Sequence, residues 1–170
     1  MELVKLLCLA DREALLRLEC PITGDLIMAL PHGLVLSHVL DLIRWGPMSE
    51  EDAPWFEAIS PPDGYDVKAL EPCGDDELSG AEDQILSEIF AKYGKMNWKQ
   101  LSRLTHGFPE WTDPGGGRIP ISPEQILRLG GKSAEQIEKI RNEMSAYQRM
   151  DRDVAAYQNQ EFEDSEAVLA

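Results

Sequence analysis

Short apolar stripes at helical spacing, each ended by glycine or proline, restrict the fold of this chain more than any other feature. In the first stripe, over residues 2–18, leucine and valine recur every three or four positions between charged side chains. This period is typical of an amphipathic helix that buries one face. Pro21 is expected to end that helix. Further helices are predicted over residues 37–45, 50–59, 79–93, 97–105, 123–129 and 133–147.

Two short segments have the pattern of strands. Residues 26–30 are continuously apolar and lie between turn residues, which indicates a buried strand. Residues 65–70 alternate in polarity, and we expect them to pair with 26–30. Because a two-stranded ribbon is marginal alone, it must lie against helices. The sequence therefore predicts a mainly α fold, a compact bundle of five to seven helices with a small two-stranded antiparallel β-ribbon.

The chain is predicted to consist of one domain and an acidic tail. Residues 1–148 hold all the predicted elements, and this length suffices for one hydrophobic core. Residues 149–170 lose the apolar face, and residues 151–170 carry six acidic side chains and one arginine. We therefore expect a frayed or disordered tail. No apolar run reaches the roughly 18 residues of a membrane span, and the start lacks a signal-peptide pattern, so a cytoplasmic location is expected.

Charge and cysteine content limit the classes of partner and site. The formal net charge is −15, which opposes non-specific binding to nucleic acid and suits a basic protein partner. The three cysteines have no CxxC spacing, so neither a disulfide framework nor a zinc knuckle is expected. Cys8 is predicted to be a small core side chain on the first helix.

No group of side chains has the spacing of a catalytic, cofactor or metal site. His32 and His38 are six residues apart, not the four that place two imidazoles on one helix face. Residues 130–133 read Gly-Gly-Lys-Ser, yet Ile126 stands where a phosphate-binding loop needs its first glycine. His106, at a helix end, is expected to interact with the last carbonyls. We therefore predict no enzymatic activity, no cofactor and no metal.

Residues 82–106 offer an alternative function. They are predicted to form a helix, a short turn and a second helix, an order that helix-turn-helix proteins share. The second helix carries Lys99 and Arg103 within a local basic concentration. A DNA-binding regulator would use Gln100 and Arg103 on base edges, although the acidity of the chain makes plain helix packing the better interpretation.

Six phrases are informative as an ordered set. They are Lys5-Leu-Leu-Cys-Leu-Ala-Asp-Arg12, Pro21-Ile-Thr-Gly-Asp25, Ala29-Leu-Pro-His-Gly33, Val67-Lys-Ala-Leu-Glu71, Tyr93-Gly94 and Leu101-Ser-Arg-Leu-Thr-His106. In this order, over residues 2 to about 145, the chain resembles the Panacea antitoxin domain, the SocA-like domain of bacterial and phage toxin–antitoxin systems. The chain departs from that pattern in two ways. It begins at the helix that contains the first phrase, where a further upstream helix is often expected, and its Gly115–Gly117 loop is a local expansion.

The resemblance implies that the chain neutralises a cognate protein toxin by direct binding. One member type of this family also delivers its toxin to an AAA+ protease, so such a protease is a second expected partner. The terminal phrase Glu166-Ala-Val-Leu-Ala170 could serve as the handle for an unfoldase. Nucleic acid and membrane are not expected partners.

Five side chains are predicted to contact the partner: Trp55, Trp111, His32, His106 and Arg103. Tryptophan is enriched at interface hot spots. If one of the four tryptophans is exposed, Trp55 or Trp111 is favoured, because neither shows helical periodicity. His32 belongs to a Pro-His-Gly break, and His106 ends the family-like phrase that also contains Arg103.

Overall fold

A computed structural model describes residues 1–46, 48–64, 66–70, 74, 77–147 and 149–150. The chain forms two compact units, Met1–Gly131 and Lys132–Ala170. The described residues contain seven α-helices and one small antiparallel sheet, which confirms the mainly α prediction. The α-helices of the first unit are α1 Glu2–Arg17, α2 Ser37–Trp45, α3 Ala53–Ala58, α4 Gly80–Tyr93, α5 Trp98–His106 and α6 Pro123–Leu129.

Local capping chemistry explains where several of these helices begin. Ser79 and Asn97 form capping boxes with the side chains three residues later, before α4 and α5. Ser122 accepts a hydrogen bond from the Gln125 N–H before α6. The expectation that Pro21 ends α1 is wrong. The helix stops at Arg17, and Glu19 takes a left-handed φ of 64° that turns the chain earlier.

The sheet differs from the predicted ribbon in its partners. It has the order β2-β1-β3, with β1 Ile27–Leu30, β2 Gly33–Leu36 and β3 Ile119–Pro120. The predicted pairing of 26–30 with 65–70 is therefore wrong, and Ala69 instead bridges Ile59. A two-residue loop closes β1 and β2, which costs less chain entropy than the predicted long connection.

One hydrophobic cluster in the core of the first unit joins α1, α4 and α5. Its buried members are Leu9, Ala10, Ala14, Ile85, Ile89 and Leu101. Cys8 is also buried, as predicted, and its burial raises the pKa of the thiol. Phe90 is apolar like Ile85 and Ile89 on the same helix, but it is 69 % exposed. It falls on the flank of α4, beside the buried face.

The second unit begins with a helix over residues 134–147, here α7. The Ser133 N–H donates to Gln136 Oε1 at 2.8 Å, and the Gln136 N–H donates to Ser133 Oγ at 3.2 Å. This reciprocal cap confirms that residues 130–133 serve as a helix stop and a new helix start. The predicted boundary at 148–149 stays a prediction, since residues 151–170 lie outside the described part of the chain.

Candidate interaction site

The β1–β2 turn is a tightly packed hairpin. Leu30 pairs with Gly33, so Pro31 and His32 form a two-residue loop. Gly33 has a φ of 96°, a conformation that side-chain-bearing residues rarely adopt. A Cβ atom at Gly33 would overlap Thr105 Oγ1 and lie 3.2 Å from Lys5 Nζ. Glycine is therefore required at this position both by backbone angle and by space.

Side chains from three other segments hold the carbonyls of this turn. The Trp111 Nε1–H donates to Leu30 O at 3.2 Å, and His106 Nε2 lies 3.1 Å from Pro31 O. Because a carbonyl only accepts, this contact requires a proton on His106 Nε2. With the carbonyl of His32, three successive carbonyls of the turn accept hydrogen bonds from side chains. These hydrogen bonds fix the turn to the body of the unit.

The third carbonyl, that of His32, accepts two hydrogen bonds. Ser102 Oγ and Lys5 Nζ each donate to it at 2.6 Å, and Lys5 Nζ also donates to Leu34 O at 3.3 Å. Lys5 is fully buried, and no ion pair joins it to a carboxylate within the described residues. Desolvation lowers the pKa of the Lys5 ammonium to about 8. A charged side chain in an amphipathic helix is expected on its polar face, and Lys5 departs from that expectation.

Two ring pairs border the turn at the surface. The His106 and Trp111 ring centroids lie 4.2 Å apart with the rings tilted, and those of His32 and Trp98 lie 5.8 Å apart edge to face. We call these four side chains the aromatic rim. His32 and Trp98 are exposed, whereas His106 and Trp111 are half-buried.

Helix α5 adds a row of basic side chains beside the rim. Lys99, Arg103 and His106 follow the i, i+4, i+7 spacing and share one side of the helix. Lys99 and Arg103 are exposed, while Leu101 and Thr105 on the other side are buried. The start of α5 is fixed by Glu2, whose carboxylate accepts the Trp98 N–H at 2.9 Å.

The structure brings together three of the five predicted contact residues. His32, His106 and Trp111 lie around one turn, and Arg103 lies on the same helix as His106. Trp55 is placed in α3, and the described ring contacts do not include it. The histidine expectation needs correction, because His106 Nε2 contacts Pro31 O rather than the last carbonyls of its own helix.

The expected exposure of the tryptophans is also wrong. Trp55 and Trp111 are half-buried, whereas Trp45 is 73 % and Trp98 is 38 % exposed. Trp111 is covered because its indole nitrogen bonds to the turn, and Trp55 lies in the short helix α3, within the predicted range 50–59. Trp98 and Lys5 were missed as site residues. The spacing of Lys5 from Cys8 and Leu9 is the signal that could have placed it on a buried face.

Within the described residues, no three His, Cys, Asp or Glu side chains form a group that could hold a metal ion. No described helix is long and apolar enough to cross a membrane. The exposed members of the aromatic rim and the basic row are His32, Trp98, Lys99 and Arg103, and they surround a turn that buried hydrogen bonds hold.

One comparison with known proteins gives a match. The family model described as "Antitoxin SocA-like, Panacea domain" covers residues 3–112. This span runs from α1 to the residue after Trp111, so it contains the turn, α5 and the whole aromatic rim. No curated protein and no solved structure matches the chain.

Proposed function

Because the chain belongs to the SocA-like Panacea antitoxin family, we propose that it neutralises a cognate protein toxin by direct binding through the aromatic rim. The observation that carries this proposal is the placement of His32, Trp98, His106 and Trp111 around one fixed turn within residues 3–112. Aromatic side chains contribute much of the binding energy of protein interfaces.

The rigidity of the turn supports a binding function. A surface that is already ordered loses little conformational entropy when a partner docks. Lys5, Ser102, His106 and Trp111 hold the turn through its carbonyls. In this proposal no side chain performs covalent chemistry, and inhibition results from covering the toxin surface. An interface of roughly 1,600 Å² in total suffices for a stable complex of this kind.

The charge of the chain is suited to a basic toxin. Its net charge of −15 attracts a cationic partner over distances of about a Debye length, which raises the rate of encounter. Trp55 and Arg103 remain proposed contacts. Arg103 extends the aromatic rim along α5, and Trp55 provides an independent position on α3.

Co-expression with the product of the neighbouring reading frame tests the proposal. The chain should restore growth and co-purify with that product. Trp98→Ala should weaken rescue, whereas Trp45→Ala is the matched control because Trp45 is the more exposed tryptophan and lies outside the rim. Growth rescue without a complex contradicts neutralisation by contact. Equal effects of the two substitutions contradict the assignment of the rim.

A role in delivering the toxin to an AAA+ protease is a second proposal, supported by the family of the chain, of which one member type acts as a proteolytic adaptor. Toxin half-life in cells with and without the protease tests this role, and equal half-lives contradict it.

A further inference from the structure

Helix α5 differs in charge from the rest of the chain. Residues 91–109 contain no aspartate or glutamate, although acidic side chains number 31 and lysine plus arginine 16 over the whole sequence. Within this acid-free segment, Lys99, Arg103 and His106 form the row described above, here called the basic stripe. A stripe of this sign on a chain of net charge −15 is a local reversal that an interaction surface could use.

The cations of the basic stripe are available for a partner. Arg12, Arg17 and Arg118 each have a carboxylate within ion-pair distance. Lys99 and Arg103 have none among the residues that the structure describes. The nearby Glu2 carboxylate is already occupied, since it accepts the Trp98 N–H and lies 3.6 Å from the terminal ammonium.

Geometry limits what the stripe can bind. From Lys99 to His106 it extends about 10 Å along α5, since a helix rises about 1.5 Å per residue. Trp98 stands at one end, with Lys99 Nζ 5.7 Å from its ring centroid, and Trp111 packs on His106 at the other. A ligand that follows the stripe therefore meets cations along its middle and an aromatic ring at each end.

We infer that the basic stripe docks an acidic segment of the toxin, with carboxylates spaced about one helical turn apart and apolar side chains against Trp98 and Trp111. This inference rests on the proposed antitoxin function and specifies the partner chemistry of the same site. The overall acidity attracts a basic toxin, and the stripe fixes where its acidic segment lies. DNA is disfavoured because the charge of the chain repels its phosphates.

Charge reversal tests the inference. Lys99→Glu with Arg103→Glu is compared with Lys68→Glu plus Arg128→Glu, a matched control that reverses two exposed cations elsewhere. The Kd for the purified neighbouring gene product is measured at ~0.05 M and ~0.15 M salt. The stripe variant should bind about tenfold more weakly than the control, mainly through slower association. Thermal melting of all variants checks that the fold is intact.

The outcomes separate the two claims. If the unaltered chain neither binds nor rescues, the proposed function fails and the inference with it. If the unaltered chain binds and both reversals weaken binding equally, only the inference fails.

Binding to a labelled DNA duplex from the chain's own promoter is the last measurement. Tight, salt-sensitive binding that Lys99→Glu with Arg103→Glu abolishes would overturn the inference in favour of a DNA occupant.

Discussion

Substitution of Gly33 by alanine tests the packing of the turn most sharply, because the chain contains a matched control. Gly33 and Gly116 have φ angles of 96° and 95°, but nothing lies within 4 Å of a Cβ atom at Gly116. Gly116→Ala therefore measures the cost of the backbone angle alone, about 1–2 kcal/mol. Gly33→Ala adds the overlap with Thr105 Oγ1.

The additional cost at Gly33 follows from what Thr105 would lose. Thr105 is fully buried, and its hydroxyl donates to Ser102 O at 3.1 Å. Displacing it loses about 1 kcal/mol of hydrogen bonding and overpacks the site by about 1–3 kcal/mol. We therefore expect Gly33→Ala to lower the free energy of unfolding by about 3–6 kcal/mol in total.

Urea denaturation of a double-mutant cycle measures this cost. In a Thr105→Ala background the nearest remaining atoms to the new Cβ are Lys5 Nζ and Ser102 O, both at 3.2 Å. Gly33→Ala should then cost at least ~1 kcal/mol less than in the unaltered chain, a coupling typical of residues in contact. Equal costs for Gly33→Ala and Gly116→Ala would refute the close approach of the turn to α5.

Three further predictions concern Lys5, DNA binding and the tail. The pKa of Lys5 falls from 10.5 to about 8 on folding, so the unfolded chain binds more protons between these pH values and the free energy of unfolding should rise there by up to about 3 kcal/mol. Urea titrations should be made in a Cys8→Ala background, since the raised pKa of that thiol acts in the opposite direction; parallel pH curves for Lys5→Met and its parent would contradict the burial of Lys5. A mobility-shift titration of the unaltered chain on its own promoter at ~0.15 M salt should show little binding, and a tight complex would favour the helix-turn-helix alternative. Truncation after Arg149 should change the free energy of unfolding by no more than about 1 kcal/mol, and a large loss of stability would contradict the predicted domain boundary. Leu169→Asp with Ala170→Asp should lengthen the cellular half-life of the chain, and an unchanged half-life would contradict the handle.

The helices could be predicted because their signals are local. Ser79, Asn97 and Ser122 each precede an apolar stripe, and each caps the helix that follows. The partner of β1 could not be predicted in this way. Gly33–Leu36 begins at the glycine of a Pro-His-Gly sequence that indicates a break, and all four residues are buried. The periodicity of so short an apolar run cannot distinguish a strand from part of the helix that follows.

The site was harder to predict than the fold because it depends on contacts distant in sequence. Lys5 reaches the turn across 27 residues and Trp111 across 81. A lysine at a buried position also contradicts its usual exposure, and only the carbonyls of the turn make that burial tolerable. His32 and His106 were singled out from the family-like phrases, but their shared turn became visible only in three dimensions.

Hydrogen exchange of the chain with and without its toxin tests the central claim most directly. Peptides covering residues 98–112 should exchange more slowly in the complex, since they contain α5 and most of the aromatic rim. Peptides covering the end of α2, including the exposed Trp45, should exchange at the same rate in both samples. Protection at the end of α2 without protection at 98–112 would contradict the account, because the toxin would then bind a surface outside the rim.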